Sequence, residues 1–179
     1  LDPGKLAGRK GYVVVANIPY YITSAIIRHL LENELKPSRL ILTMQQEVAQ
    51  RICAEAGDLS LLALSVQVYG EPKITGVLPA QAFYPVPGVD SATLRVDLYP
   101  QPIIDEKQIG KFFTLIRIGF AQKRKMLRNT LAAGLHLPAE EVDQNIQAAG
   151  IDPRRRAQTL NLAEWKTLVN KMQAVIPGN

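Results

Sequence analysis

The spacing of apolar residues changes twice along this chain, and the changes divide it. Tyr12-Val13-Val14-Val15-Ala16 is a short β-branched run that reads as a buried strand. Ile26, Ile27, Leu30 and Leu31 then recur at helical spacing, with Thr23 or Ser24 as the expected N-cap and Lys36-Pro37-Ser38 as the stop. Arg39 to Met44 reads as a second strand, and Gln45-Gln46-Glu47 leads into a helix that continues through Ile52. Leu61 to Tyr69 is apolar without a decisive period, so helix and strand both remain open there. Lys73 to Leu78 and Ala92 to Leu98 read as strands, the latter alternating at Leu94, Val96 and Leu98. Strand, helix, strand, helix and a late strand pair predict the second half of a doubly wound α/β sheet.

Tyr99-Pro100-Gln101-Pro102 reads as a linker, because two prolines stop either regular structure from continuing. Beyond it every apolar pattern is helical. Ile109, Phe112, Phe113, Ile116 and Phe120 form one stripe, and Val142, Ile146 and Ala149 a second. A third, Trp165, Leu168, Val169, Met172 and Ile176, opens behind Asn161 as N-cap. The expected division is therefore a partial α/β domain over 1–100 and a small all-α domain over 101–179.

Charge sharpens this division. Residues 1–100 carry nine Lys/Arg and nine Asp/Glu, whereas 101–179 carry twelve and seven, so the whole net charge of +5 lies in the second part. A basic helical part points to a polyanion. Its densest cluster is Lys123-Arg124-Lys125 with Arg128, expected on a helix whose apolar side is Phe120, Leu127 and Leu131. At about 100° per residue Arg124, Lys125 and Arg128 would form one stripe, suited to phosphate contact or simply to solvent. Arg154-Arg155-Arg156 is a second candidate for phosphate contact.

Other classes are disfavoured. No stretch nears the roughly 20 apolar residues that cross a bilayer, and Leu1-Asp2-Pro3-Gly4-Lys5 has no apolar signal core. The lone Cys53 fits a reducing compartment and reads as a small buried hydrophobe within its helix. His29 and His136 have no ligand partner at metal-binding spacing, so no metal site is expected.

The most specific chemistry lies at Asn17-Ile18-Pro19-Tyr20, where the first strand breaks. In open α/β sheets, ligands bind outside the carboxyl ends of strands. There the Asn17 amide and the Ile18 carbonyl could accept both N–H bonds of an exocyclic amine. Pro19 restricts Ile18 and so fixes its carbonyl, and Tyr20 offers a plane for stacking. Together they suit a flipped-out adenine held for methylation of its amino group, although Asn-x-Pro is also ordinary turn chemistry. Phe83 heads a stiff loop, Phe83-Tyr84-Pro85-Val86-Pro87-Gly88-Val89-Asp90-Ser91, and could close the other face of the base or lie in the core. A nucleotide site of this kind normally begins with a strand and a glycine-rich turn, and Gly8-Arg9-Lys10-Gly11 lacks that spacing.

Taken in order, several segments resemble the ribosomal RNA small-subunit adenine dimethyltransferase family. They are Asn17-Ile18-Pro19-Tyr20 with Ile22-Thr23-Ser24, Met44-Gln45-Gln46-Glu47 through Arg51, and Phe83-x-Pro85-x-Pro87-x-Val89-Asp90-Ser91. Phe120-Ala121-Gln122-Lys123-Arg124-Lys125 with Arg128-Asn129, and Gly150-Ile151-Asp152-Pro153 with Arg156-Ala157, complete the set. The resemblance implies a Rossmann-like class I methyltransferase sheet, S-adenosylmethionine as methyl donor and a cytoplasmic enzyme of ribosome biogenesis. Its implied partners are small-subunit rRNA and the immature small ribosomal subunit, with two adjacent adenines near the 3′ end each methylated twice. By position, Asn17 and the Ile18 carbonyl would hold the amine, with Asn17 also facing the cofactor, while Tyr20 and Phe83 sandwich the base. Lys123, Arg124, Lys125 and Arg128 would bind RNA. The family's cofactor loop and ribose-binding acid would lie upstream of Leu1, so the chain reads as a C-terminal portion, inactive by itself. Two alternatives remain. The large-subunit adenine methyltransferases of macrolide resistance share the first and third motifs, and an RNA-binding assembly factor would use the same surfaces without chemistry.

Overall fold

The computed structural model describes residues 3–177. Leu1 and Asp2, part of the opening read for a signal core, lie outside the described residues. The chain divides into two compact units, one of residues 1–53 and 65–101, the other of residues 54–64 and 102–179.

The first unit is built on a mixed four-stranded sheet of order β1-β2-β4-β3. A short helix α1 (Pro3–Ala7) precedes β1 (Val13–Asn17), which pairs in parallel with β2 (Arg39–Gln45). The crossover contains α2 (Thr23–Leu31), and α3 (Gln46–Ile52) follows β2 directly. β3 (Gly70–Leu78) and β4 (Ser91–Leu98) form an antiparallel pair, with β4 also antiparallel to β2. Alternation along β2 and β4 sends Leu40, Leu42, Met44, Ala92, Leu94 and Val96 into the core, each at most 1% exposed. Among the described residues β1 has no second neighbour, and Val13 and Val15 are 53% and 73% exposed.

Several local expectations change. Thr23 does not cap α2 through its side chain. It is the first helical residue, and its hydroxyl donates back to the Pro19 and Tyr20 carbonyls, because a 3-10 turn over Tyr20–Ile22 already leads into the helix. α2 ends at Leu31 rather than at Lys36, since the Asn33 side chain accepts from the Leu35 N–H and so competes with the helix. The undecided Leu61 to Tyr69 segment is helical over α4 (Leu61–Gln67), with the division between units falling between Leu64 and Ser65. Cys53 is the C-cap of α3 and half-buried, and burial pushes its thiol up, against an opposing hydrogen bond with the Ile74 backbone.

The second unit packs α5 (Ile109–Gly119), α6 (Leu127–Leu135), α7 (Ala139–Ala148) and α8 (Leu162–Met172) around Trp165, which is fully buried. Asn161 caps α8 as expected, in a reciprocal pair of hydrogen bonds with Glu164. Phe120 stacks on Trp165 at 6.0 Å, and a Cβ on Gly119 would lie only 2.7 Å from the Trp165 ring, so only glycine fits there. Residues 54–64 pack with these helices through two N–H bonds, from Gly57 and Leu59 to the Gln158 carbonyl, while the Gln158 side chain donates to Gly57 O.

Candidate base-binding site

The four sheet strands bring two loops to one place. β1 ends at Asn17, in register with Thr43 near the end of β2, and Gln45 at the end of β2 pairs with Ser91 at the start of β4. Leu78, the last residue of β3, also pairs with Ser91. The Asn17 to Tyr20 segment and the loop entering β4 therefore leave the sheet at the same edge of the fold. The Tyr20 hydroxyl and the buried Ser91 hydroxyl tie them together at 2.6 Å.

Each member of the first segment is placed by its neighbours. The Ile18 side chain is 4% exposed, and its N–H donates to Thr43 O at 3.1 Å, one step beyond the ladder. Pro19 is extended at φ −60° and ψ 132°. With Ile18 anchored on both sides, its carbonyl direction is set, and no N–H donor among the described residues uses that oxygen. The Asn17 side chain is exposed and makes no hydrogen bond among the described residues. Two oxygen acceptors therefore remain unclaimed at the strand end, beside a half-buried tyrosine ring whose hydroxyl is pinned.

The second loop is closed at its base. Asp90 Oδ1 accepts from the Ala80 N–H at 2.9 Å, and Asp90 O accepts from the Gln46 N–H at 3.0 Å. Phe83 follows a short 3-10 turn, Ala80–Ala82, and is partly exposed rather than packed in the core. An open cleft of about 530 Å³ adjoins this loop, lined by Gln45, Gln46, Glu47, Gln50, Gly88, Val89 and Asp90. Neither Glu47 nor Gln50 is among the candidate site residues that the sequence singles out. The only available signal was the amide-rich run at the strand end.

The basic cluster is arranged differently from the expected stripe. Lys123, Arg124 and Lys125 are exposed on a turn between α5 and α6, not on a helix. The helix breaks because the Leu127 N–H donates to Arg155 O at 2.8 Å and Met126 is extended, at ψ 148°. Arg128 does lie in the first turn of α6, but its guanidinium pairs with Asp143 of α7 at 3.0 Å and is only partly exposed. The structure therefore makes Arg128 an internal ion pair, separate from the other three. In the second cluster Arg155 turns inward onto Thr159 and Glu164, and Arg154 pairs with Asp152. Burial pushes the Glu164 carboxyl up, but hydrogen bonds from Arg155 and the Asn161 backbone, with the Arg155 charge, hold it below the usual glutamate range.

Among the described residues no helix is long and apolar enough to cross a membrane. Residues 4–174 match the profile of the ribosomal RNA adenine dimethylase family. A ribosomal RNA small subunit methyltransferase A from Dehalococcoides mccartyi strain ATCC BAA-2266 is 45% identical over 168 residues, which cover 93% of this chain and 58% of that protein. Its namesake from Desulfitobacterium hafniense strain DSM 10664 is 38% identical, over 94% of this chain and 61% of its own length. The chain thus spans about three-fifths of the curated relatives it matches. Among solved structures, a dimethyladenosine transferase from Plasmodium falciparum superposes with a TM-score of 0.80, at 21% identity, over 92% of this chain and 67% of that one. The 23S rRNA methyltransferase ErmE superposes at 0.70, at 22% identity, over 92% of this chain and 66% of that one. These likenesses identify the sheet as a Rossmann-like methyltransferase fold.

Proposed function

The chain belongs to the ribosomal RNA adenine dimethylase family, and from that premise we propose that it holds the adenine in an enzyme that methylates amino groups of small-subunit rRNA. The observation that carries this reading is the pair of unclaimed acceptors, Asn17 Oδ1 and Ile18 O, at the end of β1. Adenine's amino nitrogen is a poor nucleophile, because its lone pair is delocalised into the ring. Two acceptors on its N–H bonds pull that lone pair out of conjugation and aim it, which is orientation and electrostatics rather than general-base catalysis. Tyr20, anchored on Ser91, and Phe83 would hold the two faces of the base. The amine nitrogen so held would take a methyl group from a sulfonium donor, whose broken S–C bond leaves its electron pair on sulfur as a neutral thioether. The surplus proton on nitrogen would pass to water.

S-adenosylmethionine, when bound, supplies an electrophilic methyl group. Asn17 fits a position beside it, being an exposed, unbonded carboxamide at the strand end where α/β folds hold ligands. The names of the bacterial relatives, together with Gly150-Ile151-Asp152-Pro153, support small-subunit rRNA as substrate; that the target is two adjacent adenines of the immature subunit in the cytoplasm rests on the family resemblance alone. Lys123, Arg124 and Lys125, exposed in the basic helical unit, suit phosphate contact.

The test is label transfer from S-adenosylmethionine to unmodified small subunits by a full-length protein carrying this sequence. Asn17→Ala should lower turnover by about 2.7–4 kcal/mol of barrier, the range for deleting one preorganised polar group. Near-normal turnover by a folded Asn17→Ala protein would refute the assignment.

A further inference from the structure

Two tyrosines lie beside the proposed base site with their rings in solvent. Tyr84 is 100% exposed and Tyr21 87% exposed, the highest values among the large apolar side chains described. Each directly follows an aromatic of the site, Tyr21 after Tyr20 and Tyr84 after Phe83. Neither makes a hydrogen bond or a ring contact with any described residue.

Their backbones, by contrast, are held. Tyr21 lies within the 3-10 turn closed by the Ile22 N–H to Pro19 O bond at 3.2 Å and by the Thr23 hydroxyl. Tyr84 rides on a loop whose base is fastened by Asp90 and whose tip is stiffened by Pro85 and Pro87. Exposed Ile22 and Val86 extend the two apolar surfaces. A tyrosine ring offers a large apolar face at small conformational cost, and a nucleobase covers such a face without regard to sequence. These bonds and prolines restrict both backbones, which reduces the ordering that binding has to bring about.

Resting on the adenine reading above, we infer that Tyr21 and Tyr84 are stacking platforms for the unpaired nucleotides that flank the target base in the RNA strand. The two loops are joined through the Tyr20 and Ser91 hydroxyls and leave the sheet at one edge. A strand with its central base between Tyr20 and Phe83 would meet one platform on each side. The platforms would select single-stranded RNA over duplex, because a paired and stacked base has no free face to offer.

The test uses short single-stranded RNAs with 2-aminopurine at the position before or after a central adenine, and a second set with an abasic centre. With the 179-residue chain, both flanking labels should be quenched on binding. Tyr84→Ala should abolish quenching at one flank and Tyr21→Ala at the other, each weakening binding by roughly 5- to 150-fold. Tyr84→Phe and Tyr21→Phe should bind like the parent, since the ring face is kept. The abasic set separates this inference from the one it rests on. Asn17→Ala should erase the preference for a central adenine over an abasic centre and leave the flanking quench intact. Unchanged quenching and affinity in both tyrosine-to-alanine variants would overturn the platforms, whatever Asn17→Ala does. Loss of quenching in those variants with no adenine preference to erase would sustain the platforms and overturn the adenine reading.

Discussion

Replacing Arg128 with alanine should destabilise the helical unit without removing an RNA contact. The Arg128 guanidinium meets Asp143 at 3.0 Å, with the two side chains 34% and 22% exposed. Arg128 Nε and Asp143 Oδ1 are buried with no hydrogen-bond partner among the described residues, so neither group has an alternative to the other. A fully exposed pair is worth about 0.2–1 kcal/mol, whereas removing one partner of a fully buried pair costs about 3–5 kcal/mol. This pair lies between those limits, so Arg128→Ala should cost on the order of 1–3 kcal/mol. Asp143→Ala should cost a similar amount, and the double variant should cost less than the two singles together, because no unpaired charge is left behind. Urea denaturation followed by the fluorescence of Trp165 reads this directly. RNA affinity measured across a salt series should keep its slope in Arg128→Ala. A variant of parental stability, whose salt slope falls by about 0.7–0.9, the value of one lost phosphate contact, would show that Arg128 faces RNA after all.

Neutralising Lys123, Arg124 and Lys125 together should do the opposite, flattening the salt dependence of RNA binding while the urea midpoint stays put; an unchanged slope would make them a solvated turn. The folded-state value of Glu164 is depressed, so its contribution is complete above the unfolded value of about 4.3 and is lost as pH falls through the lower folded value. Glu164→Gln should therefore blunt the acid limb of the stability profile, and an identical acid limb in parent and variant would refute this. The 179-residue chain should self-associate through β1, whose Val13 and Val15 present an exposed apolar edge; sedimentation should show mass rising with concentration, and Val15→Lys should suppress it, whereas a monomer at every concentration would refute it.

The sequence could point to a candidate base site because the signals for one are local. A β-branched run, a pre-proline isoleucine and an aromatic are adjacent in sequence, and their placement needs only the strand end that the run itself implies. The Asn161 cap was legible for the same reason, its partner Glu164 being three residues away. What the sequence hid depends on distant partners. Lys123 to Met126 has good helix-forming composition, and only the bond from Leu127 to Arg155 O shows why the helix breaks there. Leu61 to Tyr69 had no usable period because Ala63, Leu64, Val66 and Val68 are all fully buried, which erases the polar face that periodicity reads. β3 begins at Gly70, earlier than Lys73, and the intervening Pro72 is tolerated because β3 pairs with β4 alone. A Cβ at Gly70 would sit 2.5 Å from Asp97 O, so this glycine marks a close approach of strands rather than the turn it resembles.

The assignment of residues 54–64 to the helical unit bears on how this polypeptide can be divided. The chain passes between its two units three times, after Cys53, after Leu64 and after Gln101, so no single scission separates them. A piece starting at Pro102 would lack Gly57 and Leu59, leaving the Gln158 carbonyl without its two N–H donors and its side chain without Gly57 O. The helical unit is therefore not a cassette that recombination could lift out at the proline linker and graft onto another catalytic sheet. Whatever RNA surface it carries travels with residues 54–64, and through α4 with the sheet that α4 rejoins.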